Sequence, residues 1–365
     1  MSLIPGIGKK SVIGIDLGSS EIKALELNVT QKGIKIASLV RSSMQKGILE
    51  MPFEERREIY VDSLKEILSY GKFSTKKAAL SISGNSVIVR LVNFPVMEPE
   101  ELQQTIQYEA EPHIPFDIDD VIIDTHIIGD IKEGGEKKMQ TVLVASKKET
   151  VGEKMEIVKA CGLKPVVIDV DIFAVGNMYE MLNPASAEEL IIFVNIGESK
   201  TNISIVESGT AKVVRDLYTA GGDFTEAIRD SYQVSTKKAE IVKRKYGLSG
   251  WKRKEEENID DGDHELLVYK VLNPVVQELI SEVQRSIDFF RGQQSGKSVN
   301  VDKVVLSGGS AKLKFFSEMM SKELNIPVDV FSPLSGALNA PPDMDAGSPA
   351  LAVAGGLAIR EAGGN

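Results

Sequence analysis

The chain has 365 residues and a formal net charge of −10, from 43 Lys+Arg against 53 Asp+Glu. That length predicts two or three folding units, because one hydrophobic core rarely grows beyond about 250–300 residues. With 42% hydrophobic and 26% charged residues the composition is that of a globular protein, and its acidic balance argues against broad binding to nucleic acid or anionic membrane. One cysteine, Cys161, permits neither an internal disulfide nor a cysteine metal cluster. The three histidines, His113, His126 and His264, stand in no zinc-ligand spacing. No run approaches ~18–20 consecutive apolar residues, and residues 1–10 lack the apolar stretch of a signal peptide. A cytoplasmic chain without a membrane span is expected.

Two segments resemble each other. Residues 12–27, VIGIDLGSSEIKALEL, and residues 191–206, IIFVNIGESKTNISIV, each read as an apolar strand, a Gly/Ser turn and an alternating strand, with a third strand after a reverse turn. They start about 179 residues apart, which is no solenoid period, and the second strand aligns with a small shift. A duplicated α/β domain with a cleft between its halves is the expected result. Between the copies, residues 79–92 read as two short strands around Ser83, Gly84 and Asn85, and 98–111 as a helix with Leu102, Ile106 and Ala110 on one face. Strands follow at 121–127 and 141–146, then a helix at 149–161 stopped by Gly162, then a buried-type strand at 165–170. This block reads as an inserted subdomain.

After the second copy, a helix is predicted at 223–232 with Asp223 as its cap, and another at 236–246 stopped by Gly247. The run WKRKEEENIDDGDHE reads as a charged loop, and 265–291 as a long helix that Pro274 kinks or divides. A strand at 301–306 runs into Ser307-Gly308-Gly309-Ser310, and a last helix of small residues spans 350–361.

Three Gly/Ser turns therefore follow apolar strands, at residues 16–20, 195–199 and 307–310. Glycine lets a backbone approach a ligand closely, and successive N–H groups in a turn form an anion-binding concavity. Ser19, Ser20 and Ser199 add hydroxyl donors, Lys23 can neutralise a phosphate oxygen, and Asp16 can hold Mg²⁺ through its waters. The alternative for any one turn is a bend that merely needs positive φ. No G-x-x-x-x-G-K-[ST] motif, no G-x-G-x-x-G motif and no G-x-S-x-G elbow is present.

The hairpins, the GGD helix start and the SGGS turn resemble the actin-like ATPase superfamily. GIDLGSSEIKALEL, QQTIQYEAEPHIPFDIDDV, TVLVASKKETV, GLKPVVIDVDIFAV and VVLSGGSAKL are similar, more closely, to the PilM family of type IV pilus assembly proteins, itself related to the division protein FtsA. The resemblance implies an α/β, duplicated actin-like (ribonuclease H-like) ATPase fold, two lobes around a nucleotide cleft, with an inserted α+β subdomain. Its parts would be 1–93 (first lobe with its phosphate loop), 94–170 (insertion), 171–345 (second lobe) and 346–365 (a helix returning to the first lobe).

It also implies ATP and Mg²⁺ as ligands. Asp16, Gly18, Ser19, Ser20 and Lys23 match the first phosphate loop, with Asp16 holding the metal through water. Asn195, Gly197, Ser199 and Thr201 lie in the second, and Gly308, Gly309 and Ser310 match the nucleoside-side turn. Gly221, Gly222, Glu240 and Lys243 fall where the family meets ribose and base; the alternative for Glu240 and Lys243 is a surface ion pair. Asp171 matches a catalytic acid, with a helix N-cap as the alternative. Asn195 stands where the superfamily usually has Asp and lacks the charge that orients an attacking water, so slow or negligible turnover is expected.

The implied partner is the N-terminal cytoplasmic peptide of a PilN-like bitopic inner-membrane protein, with 82–94 and 113–117 as groove segments. Pilus motor ATPases and a second copy of the chain are further implied partners. Nucleic acid and direct membrane insertion are not among them, so the protein would be peripheral to the inner membrane through its partners. An FtsA-like division tether and a small-molecule kinase are the competing functions; the first wants an amphipathic C-terminal helix, the second a substrate-activating carboxylate.

Overall fold

In the computed structural model, residues 11–30, 32–253, 262–294, 299–341 and 344–360 are described. Residues 254–261 of the expected charged loop and Glu361 of the expected last helix lie outside them. The first sheet contains β1 (Ile13–Leu17), β2 (Glu21–Thr30), β3 (Gly33–Ser43), β4 (Lys77–Ile82) and β8 (Lys164–Val170), in the order β3-β2-β1-β4-β8. The second contains β9 (Leu190–Ile196), β10 (Thr201–Glu207), β11 (Thr210–Leu217), β12 (Lys303–Ser307) and β13 (Val328–Val330), in the order β11-β10-β9-β12-β13. In both, an antiparallel three-strand meander continues into two parallel strands. The duplication is thus present at the level of topology.

The two copies match without the expected shift. Asp16 pairs with Lys23 across β1 and β2, and Asn195 with Asn202 across β9 and β10. The register breaks also correspond, at Glu26/Leu27 and at Ile205/Val206. A slip of one residue would have turned every apolar side chain to the wrong face, so burial holds the register.

Two helices fill the space between the lobes: α4 (Asp171–Leu182) and α9 (Ala352–Ala358). Their side chains share one core with Val12, Leu25 and Ala79 of the first sheet and Ile191, Phe193 and Val305 of the second. The small residues of α9 are what this layer requires, since a Cβ on Gly356 would collide with the Ala174 carbonyl of α4. Outside the layers, α1 (Phe53–Tyr70) and α3 (Lys148–Ala160) cover the first sheet; α5 (Gly221–Tyr232), α6 (Thr236–Tyr246), α7 (His264–Gln293) and α8 (Phe316–Leu324) pack on the second. Pro274 lies within α7, which is not divided there. Asp223 is the third residue of α5, not its cap: its carboxylate reaches back to the Ala220 N–H at 2.7 Å.

A third sheet, of order β5-β7-β6, is formed by β5 (Val87–Pro95), β6 (Val121–Glu133) and β7 (Glu136–Lys147), with α2 (Pro99–Ala110) packed on it around Phe94, Leu102 and Leu143. The insertion limits expected at 94 and 170 need correction at both ends. β5 pairs with β7 and so belongs to the insertion, whereas β8 pairs with β4 and completes the first lobe. Strand pairing across long loops, which local pattern does not encode, draws that boundary.

Candidate functional site

The glycine turns meet at the ends of the two central hairpins. Ser19 Oγ donates to Ser199 Oγ at 3.0 Å, joining the first turn to the second across the lobes. Lys46 and Glu198 form an ion pair at 3.2 Å beside this contact. The second turn is held to the start of α5: Gly221 N–H donates to Gly197 O at 2.9 Å and Gly222 N–H to Glu198 O at 2.7 Å. The third turn closes on the same point, because a Cβ on Gly221 would overlap Ser310 Oγ. Gly308 has φ +85, and a Cβ there would collide with the Ile196 backbone, so only glycine lets β12 turn this tightly against β9. Gly309 faces open space, whereas a Cβ on Gly18, Gly197 or Gly222 would press on the carbonyl of Glu21, Lys200 or Glu198, and Ser20 is exposed.

At the first turn, Lys23 Nζ donates to Asp16 Oδ2 at 2.8 Å and lies 3.7 Å from Glu21. The side chains of Lys23 and Asp16 are 9% and 17% exposed, so the pair is sheltered yet open on one side. Tyr60 braces the turn by donating to Gly18 O at 3.1 Å. Its burial and the Asp16 charge push the phenol up to about 12, so it stays a donor.

The duplicated position in the second lobe is neutral. Asn195 Nδ2 donates to Asn202 Oδ1 at 2.9 Å, and its own Oδ1 accepts from Ser307 Oγ at 3.1 Å. Asn202 Nδ2 donates in turn to Asp216 Oδ1 at 2.7 Å, and Asp216 Oδ2 accepts from the Gly84 N–H. The change from Asp to Asn is therefore matched by a change from Lys to Asn at the cross-strand partner. The expectation that the Asn195 side chain faces the ligand is corrected: it is buried and committed to this chain of hydrogen bonds.

Two other expected contacts are also corrected. Thr201 is fully buried, its Oγ1 donating to Thr219 O at 2.8 Å, so it shapes the turn from beneath. Lys243 is buried with all three donors engaged, to Gly221 O at 3.0 Å, Thr225 Oγ1 at 2.7 Å and Glu240 Oε2 at 2.7 Å. With Glu240 it anchors the start of α5 to α6, a half-buried link and not an exposed ion pair. Burial would raise the Glu240 carboxyl, but bonds from Lys243, Arg244 and Thr225 and the Lys243 charge bring it down to about 2. The stability gained from this carboxylate is fully present above its ordinary value of 4.5 and is lost as pH falls through about 2. Acid unfolding of Glu240→Gln, followed by circular dichroism, should show a shallower loss of stability over that window than the parent protein.

Asp171 is the first residue of α4, after Val170 at the N-cap, and its half-buried carboxylate makes no hydrogen bond among the described residues. It faces Lys154, whose Nζ donates to Leu17 O at 3.3 Å at the root of the first turn. Burial draws the Lys154 ammonium pKa down, while the Asp171 and Asp16 charges push it up. Lys154 and Lys200 were missed in sequence. Lys154 carried a signal, since it falls between Val151 and Val158 on the buried face of α3, where a lysine needs a polar reason. Among the described residues no group of three or more His, Cys, Asp or Glu side chains is gathered for a metal. Also among them, no helix is long and apolar enough to cross a membrane.

The cleft thus gathers two serine hydroxyls, an Asp–Lys pair, two further lysines and an unbonded carboxylate around three backbone turns. A family model described as type IV pilus assembly protein PilM matches residues 14–362. A solved PilM-PilN type IV pilus biogenesis complex aligns with a TM-score of 0.80 at 25% identity, covering 96% of this chain and 98% of that one. MreB5 of Spiroplasma citri, solved bound to AMPPNP, aligns at a TM-score of 0.52 and 13% identity over 95% of this chain and 94% of that one, a likeness of fold. The cell division protein FtsA of Staphylococcus epidermidis is 22% identical over 360 residues, 90% of this chain and 76% of FtsA. The actin-like α/β fold read in the sequence is borne out by these neighbours.

Proposed function

The chain belongs to the PilM family of type IV pilus assembly proteins, and on that premise we propose that it is a cytoplasmic adaptor of the pilus inner-membrane platform whose cleft binds MgATP and whose inserted subdomain takes the N-terminal peptide of a PilN-like protein. The observation that carries the nucleotide reading is the 3.0 Å bond between Ser19 and Ser199, which brings two duplicated glycine turns to one point. Turns of this kind offer backbone N–H groups to phosphate, and Lys23 lies where it can share the charge. The MreB5 structure, holding AMPPNP on the same fold, agrees with this use of the cleft.

The residues present fit Mg²⁺ entering with nucleotide rather than a resident metal. That ion keeps most of its waters and needs one or two carboxylates beside the phosphates. Asp16 would hold it through water, with Asp171, which acts on the same Lys154, as the second carboxylate nearby. When bound it would neutralise phosphate charge. The Asp16–Lys23 bond keeps both side chains in place, Tyr60 fixes the Gly18 carbonyl, and the Lys243–Glu240 link holds the Gly221 end of α5 against the second turn.

Asp171, unbonded, is the group able to orient a water, but Asn195 adds no charge opposite it. We expect ATP turnover of about 10⁻³ s⁻¹ or slower, as in NTPases lacking a full set of charge-stabilising groups. A phosphate-release assay checks this, and Asp171→Asn should remove what turnover there is while leaving nucleotide binding in place.

The partner reading is carried by family membership and by the solved PilM-PilN complex. The inserted sheet has β5 and β6 at its two edges, and backbone edges accept extended peptides. Within 82–94, Ile82, Val92 and Phe94 are buried core, leaving Val87, Ile88, Val89 and Leu91 half-buried. In the 113–117 segment, His113 is exposed against Phe94 with ring centroids 6.3 Å apart, and Phe116 carries Lys147 at 4.8 Å. Val87 and Val89 pack against the core between the lobes and Ile88 against that of the insertion, so peptide would be gripped through the β5 backbone beside Leu91, His113 and Phe116. Co-purification with the N-terminal peptide of a PilN-like protein, with and without MgATP, is the test. Retention of the peptide supports the adaptor reading, and no retention under either condition refutes it.

A further inference from the structure

Both chain crossings into the inserted subdomain stand at the cleft. Inbound, between β4 and β5, the Ser83 carbonyl accepts from Lys200 Nζ at 3.3 Å and the Gly84 N–H donates to Asp216. Outbound, β7 runs directly into α3, which sends Lys154 to the first glycine turn. The crossings are tied together where Lys147 N–H donates to Ser86 O at 3.0 Å.

Lys200 lies within the second glycine turn, next to the Ser199 that meets Ser19. It has three donors, and its hydrogen bond is to a neutral carbonyl; no carboxylate pairs with it among the described residues. Gly84 is buried at φ +97, and a Cβ there would overlap Lys200 Nζ, so the turn is shaped to admit this ammonium. A phosphate oxygen is a far stronger acceptor for an ammonium than a peptide carbonyl.

We propose that Lys200 is a two-position cation: it pins the Ser83–Gly84 turn in the arrangement seen here, and a nucleotide phosphate draws it away, releasing the root of the inserted subdomain. The proposal rests on the nucleotide reading of the cleft and names how that site would control the peptide-binding part. The chain of bonds from Ser307 through Asn195, Asn202 and Asp216 ends on the same Gly84 N–H, so the third glycine turn acts on the same root. Burial pushes the Asp216 carboxyl up, and the Lys200 charge is among the influences opposing this.

Hydrogen–deuterium exchange of the full chain, with binding of MgATP followed by calorimetry under the same conditions, tests this. Saturating MgATP should speed exchange of the amides from Gly84 through β5 by about fivefold or more, a typical coupling between sites. Lys200→Met should show the faster exchange without nucleotide and no further change on adding it. Unchanged exchange in the parent protein at full saturation would overturn the latch while leaving the nucleotide reading intact. Parent-like exchange in Lys200→Met would do the same. No heat of binding at all would overturn both, and the calorimetric trace alone would reveal that case.

Discussion

Replacing Lys23 with alanine should weaken MgATP binding by about 100-fold, roughly 3 kcal/mol, the usual cost of removing one partner of a sheltered charge pair. The loss has two sources. The phosphate loses a charge-assisted donor, and Asp16, which Lys23 neutralises at 2.8 Å, is left as a bare carboxylate facing the incoming anion. Lys23→Arg should recover little, because the pair is enclosed and a guanidinium is longer and planar. Calorimetric titration of MgATP into each variant reads the effect, and Asp16→Asn in the Lys23→Ala background should return part of the affinity. A Lys23→Ala protein that binds MgATP as the parent does would remove the first turn from the site.

The second large effect is structural and separates two neighbouring glycines. Gly308→Val should lower stability by about 3–5 kcal/mol, combining a strained positive φ with an overlap against fixed backbone. The obstructing atoms are the Ile196 carbonyl and nitrogen, held at the end of β9 by its pairing with Thr201 of β10, so they cannot move aside cheaply. Gly309→Ala should be close to neutral, since its Cβ would enter open space. Thermal unfolding of the two variants tests this, and equal losses would contradict the packing described for the third turn.

The contrast shows what the sequence could carry. The repeat was legible because hairpin chemistry is local: strand, glycine turn and alternating strand recur in order, so Asp16, Ser19, Gly197, Ser199 and Gly308 could be placed by pattern. That all of them converge depends on the α4–α9 layer, where small residues from distant segments meet both sheets. Composition hinted at close packing in the last helix but not at what it packs against. Thr201, Asn195 and Lys243 share the polar character of ligand-facing residues, and only burial reveals that their hydrogen bonds are spent inside the protein. Lys200 and Asp216 had no pattern to announce them, since their partners Ser83 and Gly84 come from the other lobe. The insertion boundary failed for the same reason, as β8 pairs with β4 only after the chain has gone out and returned.

These residues make one account: duplicated turns brought to a point, an ion pair at one duplicated position and an amide pair at the other, and lysines tying the insertion to the cleft. Its central claim is that the cleft holds a nucleotide. Calorimetric titration of the full chain with MgATP tests it most directly. The account predicts saturable binding at one site per chain, weakened about 100-fold by Lys23→Ala. The absence of any binding heat for MgATP at millimolar concentration, with the protein shown to be folded, would contradict it.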